Sequence, residues 1–337
     1  MVIARIFVAI CALLIAQITA GQASSSSLSG VVTDPDGAPF ANMPIRAVNE
    51  ATGTDARTFS SESGRYEIRD LPAGTYVVSI APPCCSFIPY SNDGVTLVDG
   101  AAHDLDIQIN ETLVALGDDP GTIGAQMRDR QVIPDLPVPR TAAGKPDLSG
   151  VWLLFTDPFP EPAEALPWAE EISQQRIANY LLDHPHMNCM PAGPPVAGGA
   201  TPFMNKILQM PELLVILFED APGFRQVFLD GRDHPSNPNP SWMGHSIGHW
   251  DGDILVIESV GFNDRGWTDT YPRSEKMRME ERYTRTEYGR MELQVTFDDP
   301  EVFVKPLVQN IQFDLAPQEE LIEYVCENNK WARNTEE

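Results

Sequence analysis

The stretch HSIGHWDGDILVIESV, residues 245–260, decides the fold class of the C-terminal half of the chain. Asp251-Gly252 is a two-residue turn of the kind that joins two antiparallel strands. The segments on either side of it, 245–250 and 253–260, have the composition of β-strands. The stretch therefore predicts a β-hairpin.

Further strands are predicted on both sides of this hairpin. Their segments are 213–218, 225–229, 277–285, 290–297, 301–315 and 321–327. About eight antiparallel strands result, and closing the sheet is the simplest way to pair its two edges. We therefore expect a lipocalin-like antiparallel β-barrel over residues 148–330, with one or two short helices. The best helix candidate is 168–182.

The N-terminal half is also predicted to be β-structure. In residues 104–111, DLDIQINE, apolar and polar residues alternate strictly, and Tyr76, Val78 and Ile80 share one face of GTYVVSI, residues 74–80. Asp- and Gly-rich turns separate such runs. The pattern predicts a β-sandwich over residues 28–112, so the chain as a whole is mainly β. A Pro-rich linker, residues 113–147, follows it.

Two longer phrases in this half carry a resemblance. SGVVTDPDGAPFANMPIRAV and SGRYEIRDLPAGTYVVSI together resemble the carboxypeptidase regulatory-like module, which has a prealbumin-like fold. The resemblance implies a small sandwich that acts as a spacer or as a carbohydrate-binding-like domain.

The N-terminus predicts export. Arg5 precedes an apolar run at residues 6–16, and small residues follow it, which is the layout of a signal peptide covering residues 1–23. The run is too short to span a bilayer, so we expect no membrane insertion after cleavage and a periplasmic or secreted protein. Export permits disulfides, and Cys189–Cys326 is the favoured pair, free thiols being the alternative.

The charge of the chain excludes some partners. A formal net charge of −25 would repel phosphate backbones and anionic membrane surfaces. We therefore expect no nucleic-acid partner, and a small-molecule or carbohydrate ligand instead.

Residues 244–248, GHSIG, match the G-x-S-x-G nucleophile elbow of serine hydrolases. That elbow needs a helix directly after the serine, whereas a hairpin turn follows Ser246. The acid and then the base should also come later in the chain, but His249 is the only histidine after Ser246. The sequence therefore argues against serine hydrolysis, and the glycines indicate strand positions with close backbone approach.

Residues 231–264 carry a second resemblance, through Gly-Arg-x-His-Pro, Trp-x-Gly-His-Ser-x-Gly-x-Trp and Gly-Phe-Asn. Together with Glu281-Arg282 and Glu323-Tyr324-x-Cys326, they are similar to a family of exported bacterial proteins of undefined activity. That family often has a histidine before the serine of the loop ahead of Glu-Arg. This chain has Arg273-Ser274 there.

The candidate site follows from strand alternation. Glu281 shares a face with Met277, Met279 and Tyr283, and Glu258 shares one with Ile254, Val256 and Val260. A carboxylate that faces a barrel interior is costly unless it is paired or functional. We therefore expect Glu258 and Glu281 to face the interior.

These acids complete a predicted site at one mouth of the barrel. His234 and His245 are its acid–base groups, and Glu258 and Glu281 set their charge. The predicted ligand-binding residues are Arg232, Trp242, Trp250, Asp264 and Arg282. The sequence predicts no metal site and specifies no cofactor.

Three functions stay open at this stage. The barrel binds a small organic ligand without turnover, or it adds His/Glu acid–base catalysis. The alternative is a structural or envelope-assembly protein. Whether the histidines and one carboxylate converge on a pocket discriminates between them.

Overall fold

The structure is a computed structural model. It describes residues 25–81, 87, 89–110, 127–157, 160–179, 181, 183–191, 193–195, 203–219 and 223–322. The predicted signal peptide and Cys84, Cys85 and Cys326 lie outside these residues. Export and the Cys189–Cys326 disulfide therefore stay predictions.

The N-terminal module is a sandwich of two four-stranded sheets, as predicted. Its strands are β1 (Ser26–Thr33), β2 (Pro44–Asn49), β3 (Asp55–Phe59), β4 (Arg65–Leu71), β5 (Gly74–Ile80), β6 (Tyr90–Leu97), β7 (Ala102–Asp104) and β8 (Ile107–Gln108). One sheet has the order β4-β1-β7, with β8 also paired to β1, and the other has the order β3-β2-β5-β6. Tyr76, Val78 and Ile80 are buried between them, as the alternation predicts.

The C-terminal half forms a closed barrel in the order β10-β11-β12-β13-β14-β17-β18-β19-β9. The strands of this half are β9 (Gly150–Thr156), β10 (Met204–Gln209), β11 (Leu213–Phe218), β12 (Gly223–Phe228), β13 (His245–Asp251), β14 (Ile254–Val260), β15 (Trp267–Thr268), β16 (Tyr271–Pro272), β17 (Arg278–Glu287), β18 (Arg290–Asp298) and β19 (Leu307–Leu315). Strands β15 and β16 form a separate ribbon. The fold class is thus as predicted.

Two short helices accompany the barrel. Helix α1 spans Pro167–Ala178, which overlaps the predicted segment 168–182, and a single 3₁₀ turn spans Pro185–Asn188. Pro167 begins α1 at a position where its missing N–H would have no partner in any case. In the described part of the chain, neither helix has the length and apolar character needed to cross a bilayer.

The barrel differs from the predicted up-and-down topology at one seam. Strands β12 and β13 are parallel, with Val227 opposite Ser246 and Phe228 opposite Ile247. A two-residue hairpin turn cannot join a parallel pair, and a longer connection is needed. Residues 229–244 make this connection, and the register places the end of β12 beside the start of β13. The turn signals in the sequence do not reveal this direction.

Residues 127–147, within the predicted linker, lie against the barrel. Arg140 pairs with Asp253 at 2.6 Å in the turn between β13 and β14, and Arg128 lies 3.4 Å from Asp314 of β19. Further along the chain, Glu161 accepts hydrogen bonds from Arg46 and Arg57 of the sandwich. Ion pairs thus hold this part of the chain on the barrel surface.

The barrel interior is filled with side chains, including a buried ion pair. Most of them are apolar, among them Trp152, Leu255 and Ile257. Arg225 of β12 and Glu281 of β17 lie among them with 1% and 0% of their surface exposed. Charges are tolerated at such positions only when every donor and acceptor is satisfied.

Five side chains form the interior polar network: Arg225, Ser246, Ser259, Glu281 and Tyr283. Arg225 donates to both carboxylate oxygens of Glu281, one of them at 2.9 Å, and to the hydroxyls of Ser246 and Ser259 at 3.0 and 2.8 Å. Tyr283 donates to Glu281 at 3.1 Å. Burial and the charge of Glu281 raise the pKa of Tyr283 well above its ordinary value, so it stays a hydrogen-bond donor. The network links β12, β13, β14 and β17.

The first prediction concerns this network. Glu281→Gln should lower the free energy of unfolding by roughly 3–5 kcal/mol, because it leaves the Arg225 charge buried without a counter-charge. The measurement is urea denaturation at pH 7.

Glu280→Gln is the matched control, since its side chain is the neighbour on the outer face and is 48% exposed. We expect it to change stability by less than about 1 kcal/mol. The double variant Arg225→Met/Glu281→Met should regain most of the loss. Equal stability of the Glu281→Gln and Glu280→Gln proteins would contradict the buried pair.

Candidate functional site

The structure brings the two predicted histidines together. His245 begins β13, and His234 lies on the segment 229–244 that connects β12 to β13. Their Nδ1 atoms are 3.0 Å apart, and their rings meet edge to face with centroids 5.2 Å apart. Since Ser246 points inward, its neighbour His245 points outward. The histidine pair, His234 and His245, therefore lies on the outer side of the barrel wall, at the end of the barrel where β13 begins.

The ring of His245 is also held by Phe228, at the end of β12. The two rings stack with centroids 5.5 Å apart and an angle of 25° between their planes. The guanidinium of Arg232 lies over the Phe228 ring at 3.9 Å and is itself bonded to Asp230. His245 is thus fixed by a stack and by a hydrogen bond before any ligand arrives.

The histidine pair is neutral at pH 7. Burial lowers the pKa of His234 below 6.5, Arg278 adds to the effect, and Glu258 and Asp233 oppose it. Burial, His234 and Arg232 lower the pKa of His245 in the same way. In two neutral rings that meet at Nδ1, one atom donates and the other accepts. The pair therefore holds one shared proton between its Nδ1 atoms.

The remaining ring nitrogens are not equivalent. His234 Nε2 is buried and has no hydrogen-bond partner in the described part of the protein. His245 Nε2 is not buried in this way and receives no bond from the described residues. His245 Nε2 is therefore the nitrogen of the pair that a ligand can reach.

Of the two acids that were predicted to face the interior, one does and the other does not. Glu281 faces the interior, where it pairs with Arg225. The prediction that Glu258 faces inward is wrong, because Leu255, Ile257 and Ser259 face the interior and Glu258 is exposed on the outer wall. Strand β14 buries residues on both faces, so its alternation does not reveal the inner one. On the outer wall, Glu258 is close enough to raise the pKa of His234.

The structure separates the other predicted ligand residues. Arg232 lies beside the histidine pair, as described above. Trp242 lies under the guanidinium of Arg265, 5.1 Å away, whereas Trp250 lies at the far end of β13 near Lys145. The two tryptophans thus form no common wall. Arg282 bonds to Asp251 at 3.0 Å, near that same far end.

The fifth predicted ligand residue, Asp264, is exposed in the loop after β14. It acts on Arg273 electrostatically. It is not among the groups that shift the pKa of either histidine.

The GHSIG motif has a structural role. Ser246 continues into β13 with no helix after it, and its hydroxyl lies 2.9 Å from that of Ser259 and accepts from Arg225. A Cβ at Gly248 would lie 2.8 Å from the Leu229 side chain. At Gly244, which has a φ of +66°, a Cβ would lie 2.8 Å from the Val260 carbonyl oxygen. Both glycines are thus required by close approach, as predicted.

Three functional neighbours escaped the sequence analysis: Arg225, Phe228 and Arg278. Alternation in β12 already places Arg225 on the same face as the apolar Val227, which is a usable signal for an interior charge. Phe228 and Arg278 become neighbours of the histidines only through the parallel seam and the barrel register. No local signal in the sequence reveals them.

Among the residues that the structure describes, no third metal ligand joins the histidine pair. In the described ranges, no group of three or more His, Cys, Asp or Glu residues is arranged to hold one. Arg278 adds positive charge near His234. The geometry favours hydrogen bonding and proton transfer at this site.

The sandwich module carries an open cavity of about 710 Å³ next to β1 and β4. Its lining includes Phe59, which is 49% exposed, together with Tyr66, Glu67, Asp104 and Asp106. An exposed ring beside carboxylates is a surface on which a sugar can stack and form hydrogen bonds.

Residues 27–110 match the carboxypeptidase regulatory-like domain. Residues 27–110 are therefore the module that their sequence resembles. No curated protein matches the chain.

Similarity to solved structures is remote. The minor pilin GBS52 of Streptococcus agalactiae is 16% identical, with a TM-score of 0.23, and the match covers 26% of this chain and 45% of the pilin. For 3-chlorocatechol 1,2-dioxygenase from Rhodococcus opacus the identity is 13%, the TM-score 0.21 and the coverage 26% and 59%. A variant of the fluorescent protein UnaG is 11% identical, with a TM-score of 0.26, and the match covers 50% of this chain and 96% of that protein. At these TM-scores the likenesses carry no argument about function.

The second prediction concerns the charges around His234. Glu258→Gln should lower the pKa of His234 further, because it removes a negative charge that favours the imidazolium. Arg278→Gln should raise it, because it removes a repelling positive charge. An NMR titration of the imidazole signals measures both shifts.

Glu287→Gln, at the far end of β17, is the control and should leave the His234 midpoint unchanged. Shifts of the same sign in the Glu258→Gln and Arg278→Gln proteins would show that neither charge lies near the histidine pair.

The third prediction concerns His184, whose ring meets that of Trp267 with centroids 4.8 Å apart. Burial, with His186 and Arg176, lowers its pKa from 6.5 to about 4. The unfolded chain therefore takes up this proton first, and stability falls as the pH drops below 6.5. Between pH 6.5 and 5 we expect His184 to cost about 2 kcal/mol.

His184→Asn should remove this part of the pH dependence. Asparagine retains an acceptor for the His186 N–H, which the imidazole caps at 3.3 Å. The measurement is the free energy of unfolding of both proteins at several pH values. If the plots of unfolding free energy against pH are parallel for the wild-type and His184→Asn proteins, His184 is not buried as a neutral ring.

Proposed function

We propose that the barrel domain binds a small organic molecule on its outer wall, and that His245 exchanges a proton with it. The observation that carries this proposal is the 3.0 Å contact between the Nδ1 atoms of His234 and His245. A second imidazole at that distance orients the first ring and selects its tautomer, as carboxylates do for histidines in known acid–base sites.

The chemistry follows from the shared proton. When His245 Nε2 takes a proton from the ligand, its Nδ1–H donates to His234 Nδ1, which spreads the new positive charge over both rings. Glu258 stabilises this charge from the outer wall. In the reverse step His245 returns the proton from Nε2. His234 and Phe228 are positioning residues in this scheme, and His245 is the catalytic residue.

The proposal for the whole chain also includes export and a binding or spacing role for the sandwich. The apolar run at residues 6–16 supports a cleaved signal peptide and a periplasmic or secreted protein. The carboxypeptidase regulatory-like module acts as a spacer or binds a carbohydrate, and the carboxylates that line the open cavity next to β1 and β4 are compatible with the second role. The resemblance of the barrel half to exported bacterial proteins stays a prediction.

The fourth prediction tests these points in one experiment. The full chain is expressed with its own N-terminus and purified from the periplasm or the medium for native mass spectrometry. We expect a mass that lacks the first 20–23 residues, together with a retained small molecule that denaturation releases. His245→Gln should lower ligand occupancy roughly tenfold or more, since it removes the acceptor at the reachable nitrogen.

His249→Gln is the matched control. Its side chain is exposed on the same face of β13, four residues further on, and it should retain the ligand at the wild-type level. Incubation of the released ligand with wild-type protein in D₂O then tests the acid–base step, because an abstracted proton is replaced by deuterium. Equal retention by the His245→Gln and His249→Gln proteins would overturn the site.

A second candidate function, assembly with other proteins, is favoured by an apolar outer face on strands β10 to β12. Leu208, Met210 and Phe224 there are 40%, 42% and 61% exposed. Leu217 lies opposite Phe224, and Val215 lies opposite both Leu208 and Gln226, which extends the apolar surface. A native mass spectrum with a discrete oligomer and no small molecule would favour this role.

A further inference from the structure

One cation at the end of the barrel has no counter-charge in contact with it. Arg273, which follows β16, is 3% exposed. Among the described residues, no carboxylate oxygen lies within 4.0 Å of its guanidinium. Asp264 and Asp299 act on it only from a greater distance, and Asp299 is bonded to Ser274 at 2.7 Å. A buried guanidinium without an ion pair is costly and calls for a physical explanation.

One edge of this guanidinium donates hydrogen bonds to the described residues, and the other edge donates none to them. Arg273 Nε donates to the backbone oxygen of Asn263 at 3.0 Å, and Nη2 donates to its side-chain oxygen at 3.1 Å. No hydrogen bond in the described part of the chain uses Nη1 or the end-on edge between Nη1 and Nη2. Two parallel N–H groups on one edge match a carboxylate or a phosphate.

Two glycines leave the space that this guanidinium needs. A Cβ at Gly266 would lie 2.0 Å from Nη2, and a Cβ at Gly193 would lie 2.4 Å from Nη1. Phe262 supports the guanidinium from a ring face 5.0 Å away. Arg273 is thus held in one orientation, with its free edge defined by the fold.

A second cation close by lacks an ion pair as well. Arg176 of α1 lies 3.6 Å over the ring of Trp267, the residue after Gly266, and donates to the Thr270 backbone oxygen at 2.9 Å. It makes no salt bridge to the residues that the structure describes. In a chain of net charge −25, these two arginines have no carboxylate in salt-bridge contact among the described residues, although Asp264, Asp299 and Asp183 act on them from a greater distance.

We propose that the free edge of Arg273 binds an oxyanion group of a small ligand, either a carboxylate or a phosphate. The site goes beyond the proposed function, because it uses different residues from the histidine pair.

The fifth prediction tests this site with inorganic phosphate and acetate as the two probes. The protein carries ¹⁵N-labelled arginine, and the Arg273 guanidinium signals are followed by NMR at constant ionic strength. We expect a saturable shift with at least one probe and none with chloride. The probe that binds more tightly identifies the chemistry of the natural group. The absence of a saturable shift with both probes would overturn the proposal, whether or not any variant folds.

Thermal unfolding gives the second measurement, since a ligand that binds only the folded state raises the unfolding temperature. Arg273→Gln should weaken binding of the preferred probe roughly tenfold or more. Arg265→Gln is the matched control, since that arginine is exposed over Trp242, and it should stay within about twofold of wild type. Equal stabilisation of both variants would show that phosphate acts by general exclusion from the surface, and the Arg273 site would then be wrong.

Discussion

The burial of Arg225 inside a closed barrel is the constraint on which the rest of the domain depends. Its guanidinium needs Glu281, Ser246 and Ser259 in contact at once, so strands β12, β13, β14 and β17 have one permitted register. The alternation of side chains along each strand then decides which residues face outward. With Ser246 inside, His245 is outside, and with Ser259 inside, Glu258 is outside. The interior network thus positions the candidate site without touching it.

The parallel seam between β12 and β13 supplies the second half of that site. Because a hairpin turn cannot join parallel strands, the connection takes residues 229–244, and His234 within it meets His245 at the start of β13. In a simple up-and-down barrel the connection would be a short turn, and the two histidines would not meet in this way. The candidate chemistry is therefore a consequence of one topological exception, and the closed interior behind it keeps the wall rigid.

Charge is distributed unevenly over this acidic protein. Many of the basic side chains that the structure describes pair with acids on the surface, as Arg140 does with Asp253 and Arg46 with Asp55. Arg273 and Arg176 do not, although burial makes an unpaired cation most costly there. Burial disfavours the charged form of the histidine pair, whereas Arg273 and Arg176 keep their charge near neutral pH. The two sites suit different chemistry: the histidine pair suits proton exchange, and Arg273 suits anion recognition.

The sequence by itself determined the β-sandwich, the hairpin around Asp251-Gly252 and the closure of the C-terminal sheet, because alternation and turn residues are local signals. It also singled out His234 and His245, and it rejected Ser246 as a nucleophile. Only the tertiary structure decided which face of β14 is inside, since Leu255, Val256 and Ile257 are all buried and the pattern fits both faces. It alone placed His234 against His245 and left Arg273 without an acid, because those neighbours are set by strand direction and register, which join residues far apart in the chain.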